Sequence, residues 1–341
     1  MDLTRVPESR VKPLRGLLDG LLGAQRLVLI THVNADGDGA GSEAAVAWWL
    51  RSLGKTVHIT NPTPFPQSFR FLAGDDLVLD HTDAGAAAAI RAADLVFVLD
   101  TGEPKRLGRH SDAALTRPIA VLDHHPAAVQ ALSGTVVLDP SACATGELVY
   151  DLFCVAGYTG DWPQPVSEAI YTAITTDTGS FRFSNTTPRA HAIAGEMIRR
   201  GVDPEIMYRR LFGTVPMRRI SLLRAALDSL EADRELPLTW ITISRDVMNE
   251  SGASSEDLEG VVDYARSIEG TELAILFRET SDGATKISFR STGEMDVNAL
   301  ARQFGGGGHV KAAGALISDP LARARERVLA AARAALRASL A

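Results

Sequence analysis

Acidic and imidazole side chains gather in four short segments of this 341-residue chain. Three of the segments directly follow apolar runs, and the fourth ends a helical pattern. The residues in them that could bind a metal are the histidines His32, His124 and His125 and the aspartates Asp36, Asp38, Asp100 and Asp177. Carboxylate and imidazole ligands together favour a borderline-hard cation such as Mn²⁺, with zinc or iron as alternatives.

The four aspartates of this set would bring four negative charges together, which is unfavourable unless cations lie between them. Two divalent cations supply the matching positive charge. Such a pair, about 3.5–4 Å apart, activates a water molecule and stabilises the attacking and leaving oxygens of a phosphoester. The residue types therefore predict two-metal hydrolysis.

Alternation of short β-branched runs with helical patterns in the first half predicts a doubly wound, mainly parallel sheet. The expected strands are Arg26–Val33, Lys55–Asn61, Asp94–Asp100, Pro118–Asp123 and Thr135–Asp139. The expected helices are Gly39–Leu53, Ala84–Ala92, Thr145–Val155, Val166–Thr176 and Pro188–Arg200. Open α/β sheets bind ligands beyond the carboxyl ends of their strands, so the acidic segments should meet there.

The second half predicts a smaller α/β domain. The stretch from Asp203 to Ala232 should form one kinked helix or two that connect the domains. The elements expected after it are strand Leu238–Ser244, helix Ser255–Ile268, strands Glu272–Glu279 and Thr285–Ser291, helix Val297–Phe304, strand Ala315–Ser318 and a helix from Leu321. We expect a catalytic domain at 1–200, a helical linker at 201–235 and a substrate-binding domain at 236–341.

Composition restricts the class of protein. The 35 basic and 42 acidic residues leave a net charge of −7, which disfavours a broad basic face for long nucleic acid. The apolar runs are too short to cross a bilayer, and the N-terminus lacks a secretory pattern. The two cysteines form no CxxC pair. These features predict a cytoplasmic protein with no membrane partner.

The motifs resemble those of the DHH phosphoesterases. The first three are His32-Val33-Asn34-Ala35-Asp36-Gly37-Asp38, the lone Asp100 and Asp123-His124-His125. Asp177-Thr178-Gly179 resembles the fourth. The run from Gly305 to His309, followed by Ala312-Ala313-Gly314, is similar to the DHH-associated C-terminal domain of the nanoRNase and RecJ subfamily.

The resemblance implies a role for each matching residue. His32 and Asp36 would bind one manganese ion, Asp38 and His124 the other, and Asp100 and Asp177 would serve both. His125 would lie near the phosphate, stabilising charge or donating a proton, and Asp123 would orient a histidine. The residues expected to hold the terminal phosphate or nucleotide are Arg290, Ser291, Gly305, Gly306, Gly307, Gly308 and His309.

The activity implied is manganese-dependent degradation of short 5′-phosphorylated oligonucleotides to mononucleotides, together with dephosphorylation of adenosine 3′,5′-bisphosphate. Hydrolysis of cyclic di-AMP or its linear product pApA is the nearest alternative. A RecJ-like single-strand exonuclease and a catalytically inactive nucleotide-binding regulator are further alternatives. We expect short oligonucleotides or small nucleotides as partners, no binding of long duplexes, and allow for a homodimer.

Overall fold

A computed structural model describes residues 2–340 except 75, 81, 83, 128, 159 and 309. The chain divides into two compact units, with the boundary between Thr214 and Val215. Each unit buries its own apolar side chains. None of the described helices combines the length and apolarity needed to cross a bilayer.

The first unit is a parallel sheet covered by helices. Its strands are β1 (Arg26–Ile30), β2 (Thr56–Ile59), β3 (Leu95–Leu99), β4 (Ile119–Asp123) and β5 (Thr135–Leu138). Its helices are α1 (Glu8–Gly23), α2 (Gly37–Ser52), α3 (Ala84–Ala92), α4 (Ser111–Ala114), α5 (Thr145–Val155), α6 (Gln164–Asp177), α7 (Pro188–Arg199) and α8 (Pro204–Leu211), with 3₁₀ turns at Gln67–Leu72 and Pro104–His110. The sheet order is β2-β1-β3-β4-β5 and every pairing is parallel. The predicted doubly wound sheet is confirmed.

Both faces of this sheet are buried, as parallel strands require. Strands β3 and β4 are buried at every position. In β1, Leu27 and Leu29 belong to one apolar cluster, whereas Val28 and Ile30 belong to another. Because β1, β3 and β4 are parallel neighbours in the sheet order, their carboxyl ends are adjacent, and the residues that follow them share one edge of the sheet.

Helix α1 was not predicted, because no element was expected before Arg26. It buries Leu14, Leu17, Leu18 and Leu21. Their spacing of three and four residues is the helical period. The pattern was therefore readable, although Pro13 and several charged residues interrupt it.

The second unit contains a mixed sheet with helices on both faces. Its strands are β6 (Glu231–Ala232), β7 (Leu238–Ile243), β8 (Leu273–Glu279), β9 (Thr285–Ser291), β10 (Gly307–Gly308) and β11 (Ala312–Ile317). Its helices are α9 (Met217–Asp228), α10 (Arg245–Ser251), α11 (Val261–Arg266), α12 (Val297–Arg302) and α13 (Leu321–Leu340), with a 3₁₀ turn at Glu256–Leu258. The order is β10-β11-β9-β8-β7-β6, and β7 with β8 is the parallel pair. The predicted second α/β fold is confirmed.

Two expectations in the second half need correction, and one alternative that the sequence left open is decided. The helix predicted at Ser255–Ile268 is wrong, because Gly260 adopts a left-handed φ of 76° and separates the 3₁₀ turn from α11. The last predicted strand begins earlier, at Ala312. The stretch from Asp203 forms two helices, α8 and α9, and Pro216 caps the second.

A buried ion-pair network fixes α5 between α1 and α7. Arg10 of α1 contacts Asp139 at 2.6 Å, Glu147 at 2.6 Å and Asp151 at 2.8 Å. Arg189 of α7 contacts the same Glu147 at 3.1 Å and also Asp151. The side chains of Arg10, Glu147 and Asp151 are at most 5% exposed, so neither carboxylate of α5 has water as an alternative partner.

We predict that Arg10→Met lowers the free energy of unfolding by about 3–5 kcal/mol, because it leaves buried carboxylates without their cation. Urea denaturation measures this change. Arg26→Met is the matched control, since Arg26 forms an exposed pair with Asp94 at 2.8 Å and should cost far less. Equal losses in the two variants would contradict the role of the network.

Candidate metal centre

The six candidate ligands lie together at the carboxyl edge of the first sheet. Their donor atoms form two groups, in each of which all atoms lie within 4.8 Å of one another. The first group is His32, Asp36 and Asp100, and the second is Asp38, His124 and Asp177. A third, overlapping group consists of Asp100, His124 and His125. Strand order thus gathers residues that are up to 145 positions apart in the sequence, from His32 to Asp177.

Asp100 lies between the two groups. It follows β3, is 1% exposed and adopts a left-handed φ of 62°, which is unfavourable for a residue with a side chain. Its Oδ2 is 3.2 Å from His32 Nε2, and its Oδ1 is 3.7 Å from His124 Nε2. The Thr145 hydroxyl donates to Oδ1 at 3.0 Å. The Asp100 carboxylate can therefore serve two cations at once.

Backbone carbonyls orient both imidazoles. His32 Nδ1 lies 2.9 Å from the Val33 carbonyl, and His124 Nδ1 lies 3.3 Å from the Ala142 carbonyl. Because a carbonyl only accepts, these contacts keep a proton on Nδ1 and turn Nε2 towards the carboxylates. This is the ring orientation that a metal-binding histidine needs.

Two helix N-termini hold Asp36 and Asp38. The Asp36 Oδ1 caps α2 by accepting from the backbone N–H groups of Asp38 and Gly39, both at 3.1 Å. The Asp38 carboxylate accepts from the N–H groups of Thr145 at 2.6 Å and Gly146 at 2.8 Å, at the start of α5. Helix N-termini stabilise negative charge. Both carboxylates are thus fixed before any cation binds.

Asp177 ends α6 and is held by Asn185. The Asn185 amide donates to Asp177 Oδ2 and to the Asp177 carbonyl, both at 3.1 Å, and to the Cys143 carbonyl at 2.8 Å. Sequence reasoning missed Asn185, and it also missed the N–H groups of Thr145 and Gly146. No sequence motif near these residues identifies them. Thr145 and Gly146 contact an aspartate more than 100 positions away, and Asn185 contacts Asp177 across a loop.

One buried atom indicates where a cation belongs. His124 Nε2 has no hydrogen-bond partner among the described residues. It lies 3.6–3.7 Å from carboxylate oxygens of Asp38, Asp100 and Asp177, which is too long for a hydrogen bond. A cation among these atoms would satisfy the ring nitrogen and neutralise the carboxylates. The donor set of oxygen and imidazole nitrogen, with no thiolate in the three groups, fits a divalent metal such as Mn²⁺.

The pKa values of the clustered residues reflect the same excess of negative charge. Burial opposes the charged form of His32, but the Asp100 and Asp36 carboxylates outweigh it and raise the pKa of His32 to about 10. Burial raises the pKa of Asp177 to about 6, with Asp100 and Asp36 adding to the rise and His124 opposing it. Burial and the carboxylates of Asp100, Asp177 and Asp36 also raise the pKa of Asp38 well above its usual range.

His125 and Asp123 form a pair beside the cluster. The His125 Nδ1 and backbone N–H both contact Asp123 Oδ1, at 2.8 and 3.0 Å, and Nδ1 is 3.5 Å from Asp100 Oδ1. Burial opposes a charged His125, but Asp123 and Asp100 outweigh it and raise the pKa of His125. Asp123 contacts His125 and belongs to none of the three donor groups found among the described residues.

In the second unit, the cross-strand register places Arg290 and the glycine run near the same ends of neighbouring strands. Arg290 on β9 pairs with Ala312 of β11, and Ala313 of β11 pairs with Gly308 of β10. Neighbouring strands are about 4.8 Å apart, so Arg290 lies about 10 Å from Gly308. His309 lies outside the described residues.

Close strand contact explains part of the glycine run. A Cβ at Gly306 would lie 2.1 Å from the Gly314 carbonyl oxygen, and one at Gly308 would lie 2.5 Å from that of Ala312. Gly305 and Gly307 meet no such backbone contact. Ser291 is 2% exposed and its hydroxyl donates to the Met295 carbonyl at 2.8 Å.

Comparisons with known proteins agree with this architecture. Residues 26–176 match the DHH family N-terminal domain, and residues 241–338 match the DHHA1 domain. The bifunctional oligoribonuclease and PAP phosphatase NrnA of Thermus thermophilus is 31% identical over 319 residues, which cover 90% of this chain and 89% of that protein. A solved exopolyphosphatase-related protein from Bacteroides fragilis has a TM-score of 0.86 and 26% identity, covering 97% of this chain and 96% of its own.

A cyclic-di-AMP phosphodiesterase, GdpP of Geobacillus thermodenitrificans, is 26% identical over 66% of this chain but only 33% of its own length. The relative from Thermus thermophilus, by contrast, is matched almost from end to end. This chain belongs to the DHH family, with a DHHA1 domain following its DHH domain.

Proposed function

We propose that this protein is a manganese-dependent phosphoesterase that cleaves short 5′-phosphorylated oligonucleotides to mononucleotides and dephosphorylates adenosine 3′,5′-bisphosphate. The observation that carries this proposal is the pair of donor groups between which Asp100 lies. The relative from Thermus thermophilus, named as an oligoribonuclease and PAP phosphatase, supports the choice of substrate. The domain limits 1–200, 201–235 and 236–341, a cytoplasmic location and a homodimer stay predictions.

Six residues would hold two divalent cations. We assign His32 and Asp36 to one, Asp38 and His124 to the other, and Asp100 and Asp177 to both. When bound, such cations activate water and stabilise negative charge on a phosphoester. The protein itself contributes ligands that are fixed before binding, through the N-terminus of α5 and through Asn185. Fixed ligands reduce the reorganisation that the reaction would otherwise require.

His125 is the residue we assign to the phosphate. Its contact with Asp123 Oδ1 fixes the ring, and the Asp123 and Asp100 carboxylates raise the pKa of His125, which favours the charged form. A charged imidazole can stabilise a phosphate oxygen or donate a proton to the leaving oxygen. Asp123 acts through His125 and is therefore a positioning residue.

Arg290 is the residue we assign to the far phosphate or nucleotide, together with the glycine run and His309. Ser291, which is buried and whose hydroxyl donates to the Met295 carbonyl, is assigned no direct contact. The Arg290 side chain is half-buried, and burial lowers its pKa, so its charge is less favourable than usual. It forms no ion pair with a described carboxylate, whereas nearby Arg266 pairs with Asp263 at 3.0 Å. A half-buried guanidinium without a carboxylate partner is suited to a phosphate, which it can bind through two hydrogen bonds.

Cyclic di-AMP and pApA form the second candidate substrate class, favoured by the partial match to GdpP. The decisive experiment compares 5′-phosphorylated dinucleotide, adenosine 3′,5′-bisphosphate, cyclic di-AMP and a long single strand at equal concentration in Mn²⁺. We expect rapid hydrolysis of the first two and loss of all activity on chelation. Faster turnover of cyclic di-AMP would favour the second class, and a folded protein unaffected by chelation would contradict the proposal.

We predict that Asp100→Asn reduces turnover of every substrate by more than about a hundredfold, because both cations would lose the ligand assigned to them jointly. Mn²⁺ should stabilise the wild-type protein against heat and should stabilise this variant less. Steady-state assays and thermal unfolding with and without Mn²⁺ measure the two effects. Asp94→Asn, at the opposite end of β3, is the control and should keep both properties. Substantial activity in Asp100→Asn would argue against the assignment.

We predict that Arg290→Ala raises KM for the dinucleotide by about 10- to 100-fold, the usual effect of losing hydrogen bonds to a charged group. A simple chromogenic phosphodiester, which has no second phosphate, should be affected much less. Arg337→Ala on α13, where Arg337 is 63% exposed, is the control. Equal losses on both substrates would show that Arg290 is not a substrate-binding residue.

A further inference from the structure

Residues 178–185 form a loop that follows the candidate ligand Asp177 and is here termed the Asp177 loop. Both its first and its last residue lie next to Asp177. Thr178 is its first residue, and Asn185, its last, donates to the Asp177 carboxylate at 3.1 Å. The backbone N–H groups of Arg182 and Phe183 both donate to the Thr178 carbonyl, at 2.9 and 3.0 Å. Both ends of the loop are therefore held at Asp177, and the turn between them folds back onto Thr178.

The backbone of the Asp177 loop is strained. Gly179, Ser180 and Phe181 adopt left-handed φ values of 56°, 58° and 64° in succession. This conformation is unfavourable for the two residues with side chains. Strain of this kind persists where the surrounding structure enforces it, and it is concentrated at binding and catalytic sites. The turn determines where the next side chains, those of Arg182 and Phe183, can lie.

The two phenylalanines of the loop have different environments. Phe181 stacks on His191, with ring centroids 4.7 Å apart and an interplanar angle of 23°. Phe183 lies against Gly179, where a Cβ would come within 2.4 Å of its ring, and 46% of its side chain is exposed. Glycine at 179 thus allows the ring to lie close to the backbone beside Asp177 while much of it remains open to solvent.

We propose that Phe183 stacks on a nucleobase of the substrate. The proposal rests on the function proposed above, in which the scissile phosphate is held by the neighbouring ligands. A nucleobase lies only one sugar away from its phosphate, and the Phe183 ring lies against Gly179, two residues after the candidate ligand Asp177. Stacking is tolerant of base identity, because every base has a flat face.

Arg182 supports this assignment. Its side chain is exposed, and its Nε donates to the carbonyl of Gly179, the residue against which the Phe183 ring lies, at 2.6 Å. Single exposed apolar side chains are common on protein surfaces. Three features distinguish Phe183 from an ordinary exposed apolar side chain. They are the attachment of its loop to Asp177, the strained turn and the neighbouring guanidinium of Arg182.

The test compares two substrates in Mn²⁺: a 5′-phosphorylated dinucleotide, and the same molecule with both bases replaced by hydrogen. Phe183→Ala should lower kcat/KM for the dinucleotide by about 5- to 100-fold, the usual effect of removing one stacking residue, and leave the abasic analogue unchanged. Phe183→Trp should restore most of the loss. Thermal unfolding in Mn²⁺ should be unchanged, because the side chain is exposed.

Phe212→Ala is the matched control, since Phe212 lies at the end of α8 and is 41% exposed. It should leave both substrates unaffected. Equal losses on the two substrates, or no loss in Phe183→Ala, would overturn this inference alone. Wild-type protein that leaves the dinucleotide intact in Mn²⁺ would overturn the proposed function, and this inference with it.

Discussion

Negative charge in a confined space is the constraint on which the first unit depends. Asp38 and Asp100 are 1% exposed and lie with Asp36 and Asp177 around two imidazoles. Carboxylates this close cannot all be ionised unless positive charge lies among them. Without a cation the cluster is balanced by protons, which explains the raised pKa values of His32 and Asp177. The fold therefore maintains an arrangement that is unfavourable by itself and favourable with divalent cations.

Helix α5 is the element that maintains this arrangement. Its first N–H groups bind Asp38, and its Thr145 hydroxyl binds Asp100. In the first and second turns of the same helix, Glu147 and Asp151 are held by Arg10 and Arg189. A buried ion pair is weak evidence for stability alone, since desolvation offsets most of the attraction. Here the pairs also fix the helix that orients two candidate ligands, so the network links stability to the geometry of the site.

The sequence predicted the parts of this structure that local patterns encode. Apolar runs ending in Asp or His identified β1, β3 and β4 and the candidate ligands after them, because strand ends and ligands are adjacent in the chain. Arg10 could not be assigned to Glu147, 137 positions away, since nothing near either residue specifies the other. The interruption at Gly260 was missed because the helical period continues across it, and only the left-handed backbone separates the two turns.

The candidate metal centre would supply chemistry but little selectivity. Cations between Asp100 and its neighbours would act on a phosphoester whatever nucleotide carries it, so the choice of substrate must come from other contacts. Close strand contact accounts for Gly306 and Gly308, so the glycine run alone is a weak argument for nucleotide binding. Arg290, which forms no ion pair with a described carboxylate, is a stronger one. Stacking on Phe183 would select for the presence of a base without selecting which base, and Arg290 would select for a phosphate, so neither contact would depend on nucleotide sequence.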